Sequence, residues 1–328
     1  MRTAPRRRLS GSLLIMAILT ALWVGAGGVA VGVPAAPGST ADYPVDYDFF
    51  SGIPDELAHP GGSLPGSNDW SCRPSAAHPD PVVLVHGTGG GAQTNWGVYA
   101  PLLADAGYCV YALTYGALDV PWPLSAIGGM GPIEDSAAQL AAFVHRVLAA
   151  TGAAQVDLVG HSQGNLVGNY FVKRLGGARE VNRFVAIAAP WLGTYGPVAD
   201  PVRAFARELG AEPAVDTLLS ANLCRSCSEM AGTSEFVRSL DADGVYDLHV
   251  SYTNIETRYD EAVVPYTVGL VPGPRTTNIL VQDGCPADYS EHAGIAGSVR
   301  AATFALNALD PGRPRPVPCH FIAPLTGG

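Results

Sequence analysis

One stretch constrains the fold of this 328-residue chain more than any other: a short apolar run, Val156 to Val159, that leads straight into Gly160-His161-Ser162-Gln163-Gly164. A pattern typical of a helix follows, from Leu166 to Leu175. A strand, a sharp turn and a helix around G-x-S-x-G are the context of a nucleophile elbow. The turn strains the backbone at the serine, and side chains two residues before and after it would clash, so both positions are glycine. Ser162 is therefore predicted to be a nucleophile; the alternative is a structural glycine turn with a capping serine.

Apolar runs alternate with helical patterns on both sides of this elbow. The predicted strands are 81–85, 108–115, 156–159 and 183–188, and the predicted helices between them are 99–106, 133–150 and 166–175. Such alternation implies right-handed crossovers and a mostly parallel central sheet with helices on both faces. The rhythm stops from residue 190 to about 243, where we expect a cap-like insertion. It resumes with strands at 245–257 and 276–281 and a closing helix at 295–309. The fold class is therefore α/β.

The first 36 residues have the layout of a signal peptide. Four arginines between Arg2 and Arg8 precede an apolar run from Leu13 to about Val33, and small residues with proline follow. The run is long enough that an uncleaved membrane anchor is the alternative. Both the general and the twin-arginine export routes fit this layout. We therefore expect a secreted protein, with a Pro- and Gly-rich arm (37–80), a main domain (81–310) and a Pro-rich tail (311–328).

Composition excludes one class of partner. The net charge is −10 and only 15% of the residues are charged, so no basic face for nucleic acid can be assembled. An apolar content of 48% is sufficient for a sizeable core.

The six cysteines are an even number in a chain expected to be exported, which favours disulfides over free thiols. The sequence does not fix their pairing. We expect Cys72–Cys109, Cys224–Cys227 and Cys285–Cys319. The histidines and cysteines have no spacing that predicts a zinc site, and no calcium ligand cluster is recognisable.

A nucleophilic serine requires a base, and the base requires an orienting carboxylate. In the order expected after a nucleophile elbow, the acid and then the base follow later strands. His292, in the loop before the last helix, is the expected base, whereas His320 lies in the tail. Asp260, directly after the strand at 245–257, is the expected acid. The alternative carboxylates are Glu256, Glu261 and Asp283.

An oxyanion requires two converging backbone amides. One is expected from Gln163, the residue after the nucleophile, and the other from Thr88, in the loop after the first strand. The run Gly89-Gly90-Gly91 lacks the ending of a phosphate-binding loop. No cofactor or metal site is predicted.

Several segments of the sequence resemble the motifs of one known family. They also occur in the same order along the chain as in that family. The segments are Val83-Leu84-Val85-His86-Gly87-Thr88, Gly107-Tyr108-Cys109-Val110, Gly160-His161-Ser162-Gln163-Gly164-Asn165, Thr257-Arg258-Tyr259-Asp260-Glu261 and Glu291-His292. Together they resemble the secreted bacterial class 2 lipases over about residues 68–310. The resemblance implies an α/β-hydrolase fold, a triacylglycerol lipase activity without a cofactor, a Ser162, Asp260 and His292 triad, and an oxyanion hole of Thr88 and Gln163. The partner would be an acylglycerol or other lipid ester, at a lipid–water interface.

Two apolar segments are candidates for an acyl pocket: the loop at 116–132, and Trp191 with Leu192 after the strand at 183–188. The same residues would otherwise be core beneath a cap. The motifs do not separate a lipase from a short-chain carboxylesterase or an acyltransferase with the same triad. A non-catalytic surface protein that kept the fold is the remaining alternative.

Overall fold

The computed structural model describes residues 42–197, 200–220 and 223–324. The expected signal peptide (1–36) lies outside these residues, as do the first residues of the arm and the last four of the tail. Among the described residues, no helix is both long and apolar enough to cross a membrane.

Six parallel strands form one central sheet in the described part of the chain, in the order β2-β1-β3-β4-β5-β6. The strands are β1 (Val82–Val85), β2 (Val110–Ala112), β3 (Val156–His161), β4 (Val181–Ile187), β5 (Ser251–Glu256) and β6 (Thr276–Leu280). The predicted strand at 108–115 is shorter than expected. Past Ala112 the chain leaves the ladder, and the amide of Tyr115 donates to Nε2 of His86 instead.

Ten helices surround the sheet within the described residues. They are α1 (Ile53–Ala58), α2 (Tyr99–Asp105), α3 (Ile133–Thr151), α4 (Gln163–Arg174), α5 (Asp200–Glu208), α6 (Glu212–Ser220), α7 (Arg225–Glu229), α8 (Glu235–Leu240), α9 (Gly294–Gly297) and α10 (Val299–Leu309). The single closing helix expected at 295–309 is thus two helices. Ser298 separates them, because its backbone is extended and its side chain accepts the amide of Ala301 as the cap of α10.

Alternating residues of the strands face two separate cores. Val83 and Val85 of β1 belong to the core that contains residues of α3 and α4, whereas Val82 and Leu84 belong to the core that contains residues of α2 and α10. The sheet is therefore covered by helices on both faces, as predicted. Helices α5 to α8 occupy the stretch between β4 and β5 where the insertion was expected. The carboxyl ends of the parallel strands lie at one edge of the sheet, which is where a functional site is expected in such a fold.

Three disulfides are present, with the pairing that we expected: Cys72–Cys109, Cys224–Cys227 and Cys285–Cys319. Cys72–Cys109 joins the N-terminal arm to the residue just before β2. Cys285–Cys319 joins the tail to the loop that precedes His292.

The Cys72–Cys109 bridge is expected to stabilise the fold more than the Cys224–Cys227 bridge does. The first closes a sequence separation of 37 residues, and the second closes a separation of 3. In the chain-entropy model this difference is worth about 2 kcal/mol of unfolding free energy. Paired Cys→Ala variants compared by urea unfolding would test it. Equal losses in the two variants would contradict the entropic explanation.

Candidate active site

The backbone at Ser162 has φ 52° and ψ −124°, a conformation that a non-glycine residue adopts only under strain. A backbone carbonyl and a buried side chain crowd this turn. A Cβ on Gly164 would lie 2.0 Å from the carbonyl oxygen of Val85, and one on Gly160 would lie 2.3 Å from Oδ1 of Asn165. Both glycines are therefore required by space, as the sequence pattern predicted. The turn places Ser162 between the end of β3 and the first residue of α4.

Ser162, His292 and Asp260 lie within hydrogen-bonding distance of one another in series. The Ser162 hydroxyl donates to Nε2 of His292 at 2.9 Å, and Nδ1 of His292 donates to Oδ2 of Asp260 at 2.8 Å. All three side chains are buried. The other carboxylate oxygen, Oδ1, accepts the amides of Ala262 at 2.9 Å and Val263 at 2.6 Å. The loop of Asp260 thus fixes the position of its carboxylate independently of the hydrogen bond to the imidazole.

The alternative residues lie elsewhere. Asp283 has a 77% exposed side chain that pairs with Arg258 at 3.6 Å. Glu256 is buried at the end of β5, where its Oε1 accepts the amide of Ala189; burial raises its pKa well above the ordinary value. His320 is exposed in the tail.

From the sequence, Glu261 is only an alternative to Asp260 as the orienting acid. In the structure it has a different contact. Its Oε2 accepts the backbone amide of His292 at 3.2 Å. Burial raises the pKa of Glu261, partly offset by the neighbouring His292. The only sign of this role in the sequence is that Glu261 is adjacent to Asp260. The contact between Glu261 and His292 depends on how the loop before α9 folds back.

The charge balance around His292 favours its protonated form. Burial lowers the pKa of His292, but the negative charge and hydrogen bond of Asp260, followed by the charges of Glu261 and Glu291, outweigh burial. The pKa of His292 is therefore raised above its ordinary value. An imidazole with a raised pKa is a stronger base for the proton of a neighbouring hydroxyl.

Two other histidines support the turns around this site. His86 stacks on Tyr115, and burial lowers its pKa to about 4. His161 has Nε2 3.1 Å from the carbonyl oxygen of His292 and Nδ1 3.1 Å from Oδ1 of Asn95. Burial and the neighbouring His292 lower the pKa of His161 to about 3, so it is neutral and donates to one of these acceptors at a time.

The amides expected for the oxyanion hole come from the loop after β1 and from the first residue of α4, which meet beside Ser162. A Cβ on Gly87 would lie 3.1 Å from Cβ of Ser162, so the loop that carries Thr88 passes in contact with the nucleophile. Within the described residues, neither the Thr88 amide nor the Gln163 amide donates a hydrogen bond. The Gln163 side chain donates to Oγ1 of Thr88 at 3.0 Å and to the carbonyl of Gly129 at 2.9 Å. This side-chain contact joins the Thr88 loop to the start of α4, and no pattern in the sequence predicts it.

The prediction for the acyl pocket was wrong. Trp191 is fully buried in the core, where its Nε1 donates to Oδ1 of Asn254, and Leu192 points away at the surface. Residues of the 116–132 loop, including Ile127 and Met130, pack in a core cluster beneath α5. The alternative interpretation, core under a cap, applies to Trp191, Ile127 and Met130.

A different set of residues lines the cavity at Ser162, which has a volume of about 190 Å³. They come from the arm, the loop after β1, the elbow, α5 and the two loops that carry the acid and the base: Phe49, Phe50, Gly87, Thr88, His161, Ser162, Ala204, Phe205, Glu261, His292 and Ala293. The described residues contain no group of three or more histidine, cysteine, aspartate or glutamate side chains that could hold a metal ion.

A parallel sheet with helices on both faces and a nucleophile elbow at the end of a central strand defines an α/β-hydrolase. The sequence model of the class 2 lipases matches residues 79–303. The chain therefore belongs to the class 2 lipase family.

Two microbial lipases are among the similar solved structures. Lipase B of Aspergillus fumigatus is 20% identical, with a TM-score of 0.57 over 78% of this chain and 57% of that one. The mature form of the Bacillus licheniformis lipase BlEst2 is 16% identical, with a TM-score of 0.49 over 75% of this chain and 94% of that one. The chain thus spans little more than half of the Aspergillus lipase, and at 20% identity the likeness to that lipase shows the fold alone.

Proposed function

We propose that this chain hydrolyses carboxylic esters of lipids, acylglycerols among them, through an acyl-enzyme on Ser162. One observation carries the proposal: the unbroken series of hydrogen bonds from Ser162 through His292 to Asp260. The family match supports lipid esters as the substrate class.

In the first half of the reaction, Oγ of Ser162 attacks the ester carbonyl and its proton passes to Nε2 of His292. The imidazolium donates this proton to the leaving alcohol, and the acyl group stays on Ser162. In the second half, water gives a proton to Nε2 and attacks the acyl carbon. The carboxylic acid leaves, and the proton returns to Oγ. Asp260 keeps Nδ1 protonated throughout and stabilises the imidazolium.

The negative oxygen of each tetrahedral intermediate is assigned to the amides of Thr88 and Gln163. Gln163 is the first residue of α4, a helix of 12 residues, so the positive end of its dipole faces the same point. Donors fixed before the reaction require no reorganisation as charge develops. The Gln163 side chain supports this arrangement, because it keeps the Thr88 loop against the elbow.

A fluorophosphonate probe tests the assignment of the nucleophile. The Oγ of an activated serine displaces fluoride and retains the phosphonyl group, which adds a fixed mass to one peptide. The label is expected on the peptide that contains Ser162, and ester hydrolysis should stop in proportion to labelling. Labelling at another serine, or full labelling with unchanged hydrolysis, would overturn the proposal.

The pH profile of kcat/KM is expected to have an acidic limb that is set by His292 in the free enzyme, because only the neutral imidazole accepts the proton of Ser162. The raised pKa of His292 places this limb above pH 6.5, so activity increases with pH through and beyond that value. Glu261→Gln keeps an oxygen for the amide of His292 but removes one negative charge. The limb should then move to lower pH.

Glu235→Gln is the matched control for this experiment, since Glu235 is an exposed glutamate in the first turn of α8 and is not one of the charges that act on His292. It should leave the limb in place. A limb that stays in place in Glu261→Gln would show that the charge of Glu261 does not reach the imidazole.

Export is the proposed destination. The basic and apolar N-terminal sequence supports it, and so do the three disulfides. N-terminal sequencing of protein from the culture medium should find a start near residue 36. Full-length protein retained in the membrane fraction would instead support the anchored alternative.

A further inference from the structure

Three phenylalanines form the apolar wall of the cavity at Ser162. Two of them, Phe49 and Phe50, belong to the N-terminal arm, and the third, Phe205, belongs to α5. Their rings contact one another edge-on or tilted: the Phe49 and Phe205 centroids are 5.3 Å apart, and those of Phe50 and Phe205 are 5.9 Å apart. Phe49 also contacts the ring of His161 edge-on at 5.6 Å. The wall is thus a continuous aromatic surface that faces the nucleophile.

The arm that carries two of these rings is seated by close backbone contacts. A Cβ on Gly297 of α9 would lie 2.6 Å from the amide nitrogen of Phe49. Similarly, a Cβ on Gly52 would lie 2.1 Å from the carbonyl oxygen of Gln93. Phe49 itself is only 3% exposed. Because the arm fits where only glycine leaves room, the position of the aromatic wall is set by the fold before any ligand binds.

The wall leaves little space. Sites for drug-sized ligands have volumes of about 300–1,000 Å³, and the cavity at Ser162 has about 190 Å³. A long acyl chain has as many heavy atoms as a small drug, so it exceeds this space, whereas a short acyl group fits beside the nucleophile. Phe49 and Phe50 lie outside the family match, which covers residues 79–303.

We propose that Phe49, Phe50 and Phe205 limit the acyl group to short and medium chains, so that the arm determines the ester specificity of the enzyme. This inference rests on the proposed function, because it takes the cavity at Ser162 to be the place of the acyl group. Hydrophobic pockets discriminate by about 10–200-fold for a single methylene, so a chain that does not fit should be disfavoured by at least about tenfold.

The test is a series of p-nitrophenyl esters (acetate, butyrate, octanoate and palmitate) in one detergent, with kcat/KM measured for each. The unmodified enzyme should favour butyrate over palmitate by about tenfold or more. Phe50→Ala should raise the octanoate-to-butyrate ratio by about tenfold, since it removes a half-buried ring from the wall. Phe50→Trp should lower the same ratio, an opposite shift that a general loosening of the fold would not produce.

Phe304→Ala is the matched control. Phe304 is a half-buried phenylalanine of α10 that lines a separate groove with Arg183 and Arg275, so its removal should not change the ratio. A preference for palmitate in the unmodified enzyme, or equal ratios in Phe50→Ala and Phe50→Trp, would overturn the inference. Hydrolysis and labelling of Ser162 would continue in that case, whereas failure of the proposed function would abolish both for every ester.

Discussion

Ser162→Ala is expected to remove ester hydrolysis almost completely while the protein stays folded. The hydroxyl is the only group that the proposed mechanism uses to form the acyl-enzyme, and loss of a catalytic serine typically lowers kcat by about 10⁴- to 10⁶-fold. Alanine keeps a Cβ at the strained position and removes one buried hydroxyl together with its partner bond. The rate on butyrate esters and the urea midpoint, measured side by side, check both parts of the expectation.

Ser228→Ala is a suitable control, because Ser228 is an exposed serine whose hydroxyl donates only to the carbonyl of Arg225. Its rate should equal that of the unmodified enzyme. A Ser162→Ala protein that retains even a tenth of the activity would show that another nucleophile carries the reaction.

Asp260→Asn is expected to have the second largest effect, a loss of about 10⁴-fold in kcat. The reason lies in the loop that holds the carboxylate. Two amides, from Ala262 and Val263, already donate to Oδ1, so an asparagine must place its carbonyl oxygen there. Its NH₂ group then faces Nδ1 of His292 and requires that nitrogen to accept. The proton moves to Nε2, and the imidazole no longer accepts the proton of Ser162.

The comparison with Asp283→Asn separates this tautomer effect from a general loss of charge. Asp283 was an alternative for the acid in the sequence, but its side chain is exposed and pairs with Arg258. Its substitution should change kcat by less than twofold, because exposed ion pairs contribute little. If the two variants were equally active, Asp260 would not be the orienting carboxylate.

Local rules explain why the elbow could be predicted from sequence. Gly160 and Gly164 must be glycine because a Cβ would clash with a residue nearby in sequence or with the adjacent strand. The G-x-S-x-G pattern is therefore enough to predict the geometry of the turn. Asp260 and His292 follow strands whose order is fixed by right-handed crossovers, and the carboxyl ends of parallel strands meet at one edge. Chain order was therefore enough to select both residues for a shared site, at which the structure brings them together.

The cavity could not be predicted in the same way. Phe49 and Phe205 are 156 positions apart in the chain, yet their rings are in contact. Hydrophobicity alone made Trp191 a candidate for the acyl pocket. In the structure Trp191 is instead buried in a different core, where it donates a hydrogen bond to Asn254. Which apolar side chain faces a ligand and which faces the core depends on the tertiary arrangement of the insertion and the arm, and no local pattern specifies it.

The Cys72–Cys109 bridge has a practical consequence for the arm. It is the disulfide cross-link between the arm that carries Phe49 and Phe50 and the edge of the sheet. Recombinant protein made in a host cytoplasm, where thiols stay reduced, would hold this segment by packing alone. Expression in an oxidising compartment, with a mass measurement that verifies all three bridges, should therefore precede any measurement of chain-length preference. Batches that differ in their sulfur chemistry would otherwise be mistaken for enzymes of different selectivity.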